Sequence, residues 1–596
     1  MEAQPPASSS SDAGSGSTPE DGAARPDPED GWTPQVKSIR QYNRRLLFTT
    51  LNSIEGTKGI IWSSGLMKRL VVYVTDAELK QHGVVFNTRL DLKKPVSGVE
   101  NVVFFVEKSM EETTKLIDYI GSVKNEGALH HVFYIPLEWY AAKQKLKDQQ
   151  HIWERLETVR ALPLSWLPFE GDVVALDEPT LPSRVLLNGD WTVLHRCACA
   201  LYELERMAGR PFIIHAKGKC GMGIVGGGDI PAAGLYLGRL VLVDRWLDPL
   251  TPLLTPLTYA AMLDDVYGIG INERIKVPQA EFEQKNDGSI QPSAQMDLSL
   301  NDDVFHRCKH TYITALSKTV TDILADVLKE QQQVDLKNMS IAESLVFVKK
   351  LPALKRREKN AWKHFRLCEM LIRQMQLSLW RGMLVEKELV VSPDGDRVLG
   401  SIEDALLARR TPQEAKEVLR LIAIQSTTAG GLKTSVLQTY RKMVFQSFGV
   451  DALNRFIKMQ KIGLIREKSA QRFVPAYPPL LFAQQCKAYN MLPTGGIDYH
   501  VQSDAAYAHS YVAPLLVRIV EEGSAVRWTG WATPKGNLGP SSDVRPLGPG
   551  STVVFVVGGI TRTEIAGLRR IKDIGLIAAS SIVTRDGIVD NLTNIL

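Results

Sequence analysis

Apolar and polar positions alternate along this chain in three successive regimes. Residues 1–34 are Ser, Gly, Pro, Ala and acid with almost nothing apolar to bury, a composition that predicts a disordered tail. From Val36 the spacing is helical in "SIRQYNRRLLFTTLNSI", and "GIIWSS" then reads as a short strand. "LVVYV", "NVVFFV" and "HVFYIP" are unbroken β-branched and aromatic runs, the pattern of parallel strands covered on both faces. Residues 108–123, "KSMEETTKLIDYIGSV", supply a helix between two of them. A helix over 190–208 follows, with Asp190 as its N-cap, and then the strand "PFIIH". After Gly268 the character changes: 300–330, 340–380 and 401–465 read as long helices. The α/β signal returns in "STVVFVVGGITRTEIAGLRRI", a strand, a Gly-Gly turn and a helix whose start, Thr561 to Glu564, has capping-box spacing. The pattern predicts an α/β fold with a large inserted α-helical domain.

Composition narrows the function without naming it. A net charge of +5 over 596 residues makes no general case for nucleic acid and leaves room for a local basic surface. No apolar run approaches the roughly eighteen residues that a membrane span needs. The N-terminus lacks a basic region followed by an apolar stretch, so no signal peptide is expected and any membrane contact is indirect. Six cysteines are few and poorly spaced for a disulfide framework. Cys197 and Cys199 point to different helix faces, and reduced thiols are expected.

"GMGIVG" at Gly221–Gly226, with Asp244 ending "LVLV", invites a dinucleotide reading and hence a nucleotide-dependent enzyme. The fingerprint also needs a helix whose N-terminus meets the pyrophosphate. Between Gly226 and Gly238 stand five glycines and Pro231, which would cost a helix about 8 kcal/mol relative to alanine. The glycines are therefore read as a loop. No Walker loop, G-x-S-x-G elbow or H-E-x-x-H occurs. His306 and His310 in "HRCKH" have i, i+4 spacing but no third ligand in register, so they read as plain helix surface and no metal is expected. His215 ends a strand and reads as packed, and His130 and His131 precede another. Asp264 and Asp265 in "AMLDDVYGI" could pair for acid–base work, but adjacent helix positions diverge and an exposed face is expected. No catalytic residue and no cofactor are predicted.

Taken whole, "LVLVDRWLDPLTPLLTPLTYAAMLDDVYGI" resembles the signature segment of the SM family, the Sec/Munc-like proteins that assist SNARE-driven membrane fusion. The matching positions are Asp244, Arg245, Asp248, Thr251–Leu253 with Pro252 at the centre, Leu257–Tyr259 and Tyr267–Ile269. The prolines hold an extended crossing where helix is forbidden. "LPFEGD" (Leu167–Asp172), "SYVAPLLVRIVE" and "VVFVVGGITRTEIAGLRRI", with Gly558, Gly559, Thr561 and Glu564, are also similar to family segments. "MLDDVYGI" and "LRLIAIQSTTAGGLK" resemble the vacuolar protein-sorting branch, the SM subunit of the HOPS and CORVET tethers. The resemblance implies a three-domain arch: an N-terminal α/β domain at 35–165 and a discontinuous second α/β domain at 166–268 and 481–596. The helical insertion then divides into 269–383 and 384–480. One departure stands out: between Cys220 and Leu240 the family usually has a helix, and this chain has the Gly-rich loop.

The resemblance implies a protein that is no enzyme, is recruited to late endosome, lysosome or vacuole membranes, and orders Qa- and R-SNARE helices for zippering. The SNARE-facing element would be the helical hairpin of 269–383. Residues 349–373, "KKLPALKRREKNAWKHFRLCEMLIR", carry nine Lys or Arg against two Glu, a surface suited to acidic helices. The SNARE-binding candidates are Lys355, Arg356, Lys359, Lys363 and His364; Leu351, Pro352 and Leu354 followed by His364 match the family's hairpin pattern. "LQTYRKMVFQSFGVDALNRFIKMQKIGLIRE" reads as two helices joined by "SFGVD", packed rather than DNA-binding. By resemblance this region would dock the partner tether subunit through Arg441, Val450 and Leu453, with Val450 standing where an aromatic is more usual. A tether scaffold that has lost SNARE contact is the other protein-binding reading.

Overall fold

The computed structural model describes residues 32–70, 72–94, 96, 98–122, 127–218, 237–271, 273–284, 291, 293–332, 341–375, 380–392, 396–408, 411–468, 481–493, 504–533 and 548–593. Residues 1–31 of the expected tail and the Gly221–Gly226 loop lie outside them.

The first sheet takes β1 (Lys58–Trp62), β2 (Val84–Arg89), β3 (Asn101–Glu107), β4 (Leu129–Ile135) and β5 (Leu156–Ala161) in the order β2-β1-β3-β4-β5. Every pairing is parallel. Because side chains alternate across a strand, β3 has apolar residues for both faces. Val102, Phe104 and Val106 meet Leu116, Tyr119 and Ile120 of the helix Met110–Ser122. Val103 and Phe105 face the other way, toward Leu47 and Leu51 of the helix Pro34–Asn52.

The described residues of "LVVYV", Leu70 and Val72–Val74, form no strand. Leu70 closes the short helix Ser64–Leu70, and Val72–Val74 lie buried in a turn. Their carbonyls are satisfied by side chains instead of a ladder: Arg40 donates to Val72 O at 3.0 Å and Arg44 to Tyr73 O at 2.6 Å. The place in the sheet goes to β2, whose open edge leaves Val85 63% exposed and breaks the apolar run.

The second sheet combines β6 (Leu167–Glu170), β7 (Val173–Ala175), β8 (Ile213–Lys217) and β9 (Arg239–Asp244) with two strands from far down the chain. The insertion holds the antiparallel pair β10 (Arg274–Pro278) and β11 (Gln295–Ser299). Then β12 (Thr552–Val557) and β13 (Ile574–Ala579) complete the order β6-β7-β13-β12-β9-β8. β12 lies against β9 from Thr552 opposite Arg239 to Val557 opposite Asp244. The C-terminal segment therefore supplies the centre of a sheet begun more than three hundred residues earlier, and neither piece can bury its strands alone. Val241, Val243, Val554 and Val556 join the core that reaches the first sheet, while Leu240, Leu242, Val553 and Phe555 face the helices.

One such helix is Thr192–Ala208. Asp190 stands one residue outside its N-cap, Trp191, and still accepts from Thr192 N at 3.0 Å. Glu203 of this helix is buried, and the Ser165 hydroxyl donates to it at 2.8 Å. Burial pushes its pKa up to about 8, so the folded chain keeps protonated a carboxyl that the unfolded chain ionises. Its contribution is full below the ordinary carboxylate value and is lost as pH rises through about 8. Glu203→Gln is accordingly expected to leave thermal stability at pH 5 nearly unchanged and to raise it at pH 8.5. Equal shifts at both pH values would contradict this.

Within the insertion, the helices Asp303–Cys308, Ile313–Gln332 and Ile341–Gln374 share one core with the segment from Leu257 to Leu300. The helices Trp380–Val391, Asp396–Ala408, Pro412–Thr428 and Thr434–Ile462 join the core of the second sheet. The last is two helices, broken at Gly449 (φ 79°, ψ −164°) within "SFGVD".

Candidate partner-binding surfaces and the buried junction beneath them

At the end of β9 the Asp244 carboxylate accepts from Trp246 N at 3.2 Å and opens a tight turn. Arg245 is thereby aimed inward, 2% exposed. Its guanidinium donates to the Asp248 carbonyl at 3.0 and 2.6 Å and to Glu564 at 2.7 Å. The Asp248 carboxylate accepts from Thr251 N at 3.0 Å, the Thr251 hydroxyl at 2.6 Å and Leu516 N at 3.0 Å. Glu564 also closes the predicted capping box, accepting from Thr561 N at 2.9 Å. One side chain thus caps the helix Arg562–Leu568 and clamps the two separated pieces of the second sheet together. Burial opposes the charge on Arg245, and Glu564 and Asp248 outweigh it, holding the guanidinium pKa above its ordinary value.

Gly558 and Gly559 have φ +100° and +102°, where L side chains are strained. A Cβ on Gly558 would stand 2.8 Å from Arg245 Cβ. Gly558→Ala is therefore expected to cost about 1–3 kcal/mol, read as a fall in the urea midpoint; an unchanged midpoint would show that the turn can relax.

Asp264 and Asp265 do not form an exposed face. They diverge as neighbours on a helix must, but each meets an arginine of the C-terminal piece: Asp264 pairs with Arg562 at 2.8 Å and Asp265 with Arg585 at 3.1 Å. Arg562 also pairs with Glu170, which takes Lys309 at 2.9 Å and Arg569 at 2.6 Å. "HRCKH" is likewise not plain helix surface. The helix stops at Cys308, so His306 and His310 share no helical face. His306 lies 3.2 Å from Asn301 Oδ1, and His310, its pKa pushed by burial down to about 3, accepts from Arg569. Arg420 donates at 2.6 Å to Glu386, which also accepts from Thr255 N at 2.8 Å and so holds the proline-rich crossing.

Asp244, which the nucleotide reading requires, is 1% exposed and committed to the junction, so it cannot present itself to a ribose. Among the described residues no three His, Cys, Asp or Glu side chains converge as metal ligands, and no described helix is long and apolar enough to cross a membrane.

Above the junction stands a hairpin of the helices Ile313–Gln332 and Ile341–Gln374. Ile313, Leu316, Val320 and Ile323 pack against Ala361, Leu367, Cys368 and Leu371. That packing turns Lys355, Arg356 and Lys359 outward, all exposed, with Trp362 50% exposed beside them. Arg357 is drawn sideways onto Asp303 at 3.2 Å.

Two of the five basic candidates are corrected. His364 is fully buried: its Nδ1 lies 2.8 Å from the Tyr259 hydroxyl and its Nε2 3.0 Å from Asp302 Oδ2. Lys363 donates to the same carboxylate at 2.6 Å and to Ser299 O at 2.5 Å. Both turn toward the body of the insertion because Leu367 and Leu371 face the core, and 363 and 364 lie one helical turn before the first and two before the second. His364 fastens the hairpin to Tyr259 of the signature segment and to Asp302, and Lys363 fastens it to Asp302 and Ser299. Asp302 also caps Asp303–Cys308, accepting from Phe305 N at 2.9 Å. Burial would raise its pKa, but His364 and Lys363 prevail and keep it well below the ordinary carboxylate range.

A second surface lies around Gly449. Arg441 and Val450 are exposed, Val450 by 60%, and Leu453 is half-buried. Phe445 (49%) and Ile457 (40%), which the sequence reading missed, extend the apolar set. Val450, Leu453 and Ile457 share a helix face, as do Arg441 and Phe445 on the preceding helix.

The Sec1 family model matches residues 58–591. The vacuolar protein sorting-associated protein 33A of Caenorhabditis elegans is 40% identical over 595 positions, covering 94% of this chain and 97% of that protein. The Rattus norvegicus protein of the same name is 26% identical over 89% of this chain and 92% of its own length. Among solved structures, the chain resembles the Unc18–syntaxin 1 complex from Monosiga brevicollis with a TM-score of 0.61, at 15% identity over 93% of this chain and 99% of that chain. It also resembles the SM protein Vps45 in complex with the Qa SNARE Tlg2 with a TM-score of 0.58, at 16% identity over 94% and 97%. With a family model matched from the first strand to the last helix, and a relative this similar over nearly its whole length, the chain belongs to the Sec1 family.

Proposed function

We propose that this chain regulates vesicle docking and SNARE-mediated fusion at late endosome, lysosome or vacuole membranes, as the SM subunit of a HOPS- or CORVET-like tether. The observation that carries the reading is the hairpin's division of labour. Its inner face is bolted to the junction through His364, Asp302 and Tyr259, and its outer face presents Lys355, Arg356 and Lys359 to solvent. A rigidly held basic face is suited to set the register of acidic Qa- and R-SNARE helices, because complementary charge steers encounter and penalises wrong alignments. Support comes from the relatives: one resembled structure is a complex with syntaxin 1, another a complex with a Qa SNARE. The chemistry is positioning, with no catalytic step.

The exposed apolar set Phe445, Val450, Leu453 and Ile457 is the tether-facing surface in this reading. Val450→Asp places a charge at its centre, and a charge desolvated without a partner costs several kcal/mol. Capture of the tether subunit's C-terminal region by the full chain is expected to fall at least about tenfold, a loss of about 1.4 kcal/mol or more, with thermal stability unchanged. Undiminished capture would move the tether contact elsewhere. Capture of Qa- and R-SNARE motifs by wild-type protein at low salt tests the function itself; tether binding without SNARE capture would favour the scaffold reading.

A further inference from the structure

The strongest unused feature is a match between two parts of this chain. Residues 1–31 carry seven acids (Glu2, Asp12, Glu20, Asp21, Asp27, Glu29 and Asp30) against Arg25, five of them crowded into 20–30. The helix Ile341–Gln374 exposes Lys355 and Lys359 one turn apart on its outward face, and Lys349 and Lys350 nearer its start. We infer that the acidic N-terminal segment docks on this basic face in the resting protein and screens it from other acidic partners.

Reach permits it. The segment is rooted where Thr33 N donates to Gly171 O at 2.7 Å. Next to Gly171, Glu170 takes Lys309 at 2.9 Å, and Lys309 follows the helix whose Asp303 pairs with Arg357 at 3.2 Å. Those links run without a break from the root of the segment to the basic helix. A chain of this length has a root-mean-square span of about 30 Å as a flexible coil and about 100 Å when extended. Being part of the same molecule, the segment is present at an effective concentration of about millimolar. Individually weak exposed ion pairs then suffice, and a partner helix with more charge and apolar contact displaces it. Only this last consequence rests on the proposed partner role of the hairpin.

The test is zero-length carboxyl-to-amine cross-linking of the full chain at low salt, mapped by mass spectrometry. A comparison chain has Glu20, Asp21, Asp27, Glu29 and Asp30 changed to Gln or Asn. Monomeric product linking these acids to Lys349, Lys350, Lys355 or Lys359 is expected, reduced about fivefold or more in 0.5 M salt, where the Debye length is only a few ångströms. In the neutralised chain Lys355 and Lys359 should acylate several-fold faster. Links scattered over the other exposed lysines, links confined to dimers, or no tail-to-hairpin links would overturn the inference. In a second arm the neutralised chain should bind an acidic SNARE motif several-fold more tightly. Cross-links present with affinity unchanged would count against the hairpin as the partner face and leave the docking intact.

Discussion

Replacing Arg245 by methionine is expected to cost about 3–5 kcal/mol, because removing one partner of a buried ion pair strands the other. Against a total stability of about 5–15 kcal/mol, that is a large fraction of the margin. Methionine restores part of the volume, so the deficit is electrostatic: Glu564 keeps only its capping bonds, and the Asp248 carbonyl loses both donors. The damage reaches beyond one contact, since this side chain joins β9 to the segment that delivers β12 into the sheet. Arg245→Lys is expected to recover part of the loss, as an ammonium keeps the charge without the fork that spans Asp248 and Glu564. Adding Glu564→Leu to Arg245→Met should cost less than the sum of the two changes. Urea unfolding of the full chain reads all three, and a midpoint shift equivalent to less than about 1 kcal/mol for Arg245→Met would contradict the clamp.

Reversing Lys355, Arg356 and Lys359 to Glu should do the opposite, leaving the fold alone and removing a function. All three are exposed, and surface substitutions away from packed features stay within about 0.5 kcal/mol. Arg357 is left unchanged because it braces the hairpin against Asp303. Capture of acidic SNARE motifs at low salt is expected to fall by about ten- to a hundredfold, with most of the difference gone at high salt as the charges are screened. His364→Ala supplies the contrast. It leaves Asp302 and the Tyr259 hydroxyl without their buried partner, so stability and capture should fall together. If the triple reversal unfolds the protein, the basic face is structural and the division of labour fails.

How much of this was legible in the chain follows from what each signal depends on. β1, β3, β4, β9 and β12 were readable because strands buried on both faces need continuous apolar runs, and those runs have few other uses. The return of the α/β pattern near Ser551 belongs to strands that join the sheet begun at Leu167, and Thr561 to Glu564 announced the helix start. "LVVYV" misled because burial, which the composition reports, does not require a ladder when Arg40 and Arg44 can satisfy the carbonyls. Asp264, Asp265 and His310 misled for a related reason. A charge alternating with apolar residues looks solvated until the arginine that meets it is known, and Arg562, Arg569 and Arg585 arrive about three hundred residues later. One signal could have exposed the network: Arg420 stands inside "VLRLIAI", a helical stretch apolar on all sides, where a lone arginine has to find a buried acid. At the hairpin, the excess of basic residues was visible and its orientation was not. Lys363 has the charge of Lys355 and Lys359, yet it and the buried His364 lie on the turn that packs against the rest of the insertion.

The most direct test of the account is a matrix of captures by the full-length protein. Wild type, the Lys355/Arg356/Lys359 reversal and Val450→Asp would each be measured at two salt concentrations. The baits are a Qa-SNARE motif, an R-SNARE motif and the C-terminal region of the partner tether subunit. Two separable losses are expected: the reversal lowers SNARE capture at low salt by about ten- to a hundredfold and keeps the tether subunit, and Val450→Asp lowers tether capture and keeps the SNAREs. SNARE capture by the reversal equal to that of wild type at both salts would contradict it, because the hairpin's outer face would then not be where the partner helices are held.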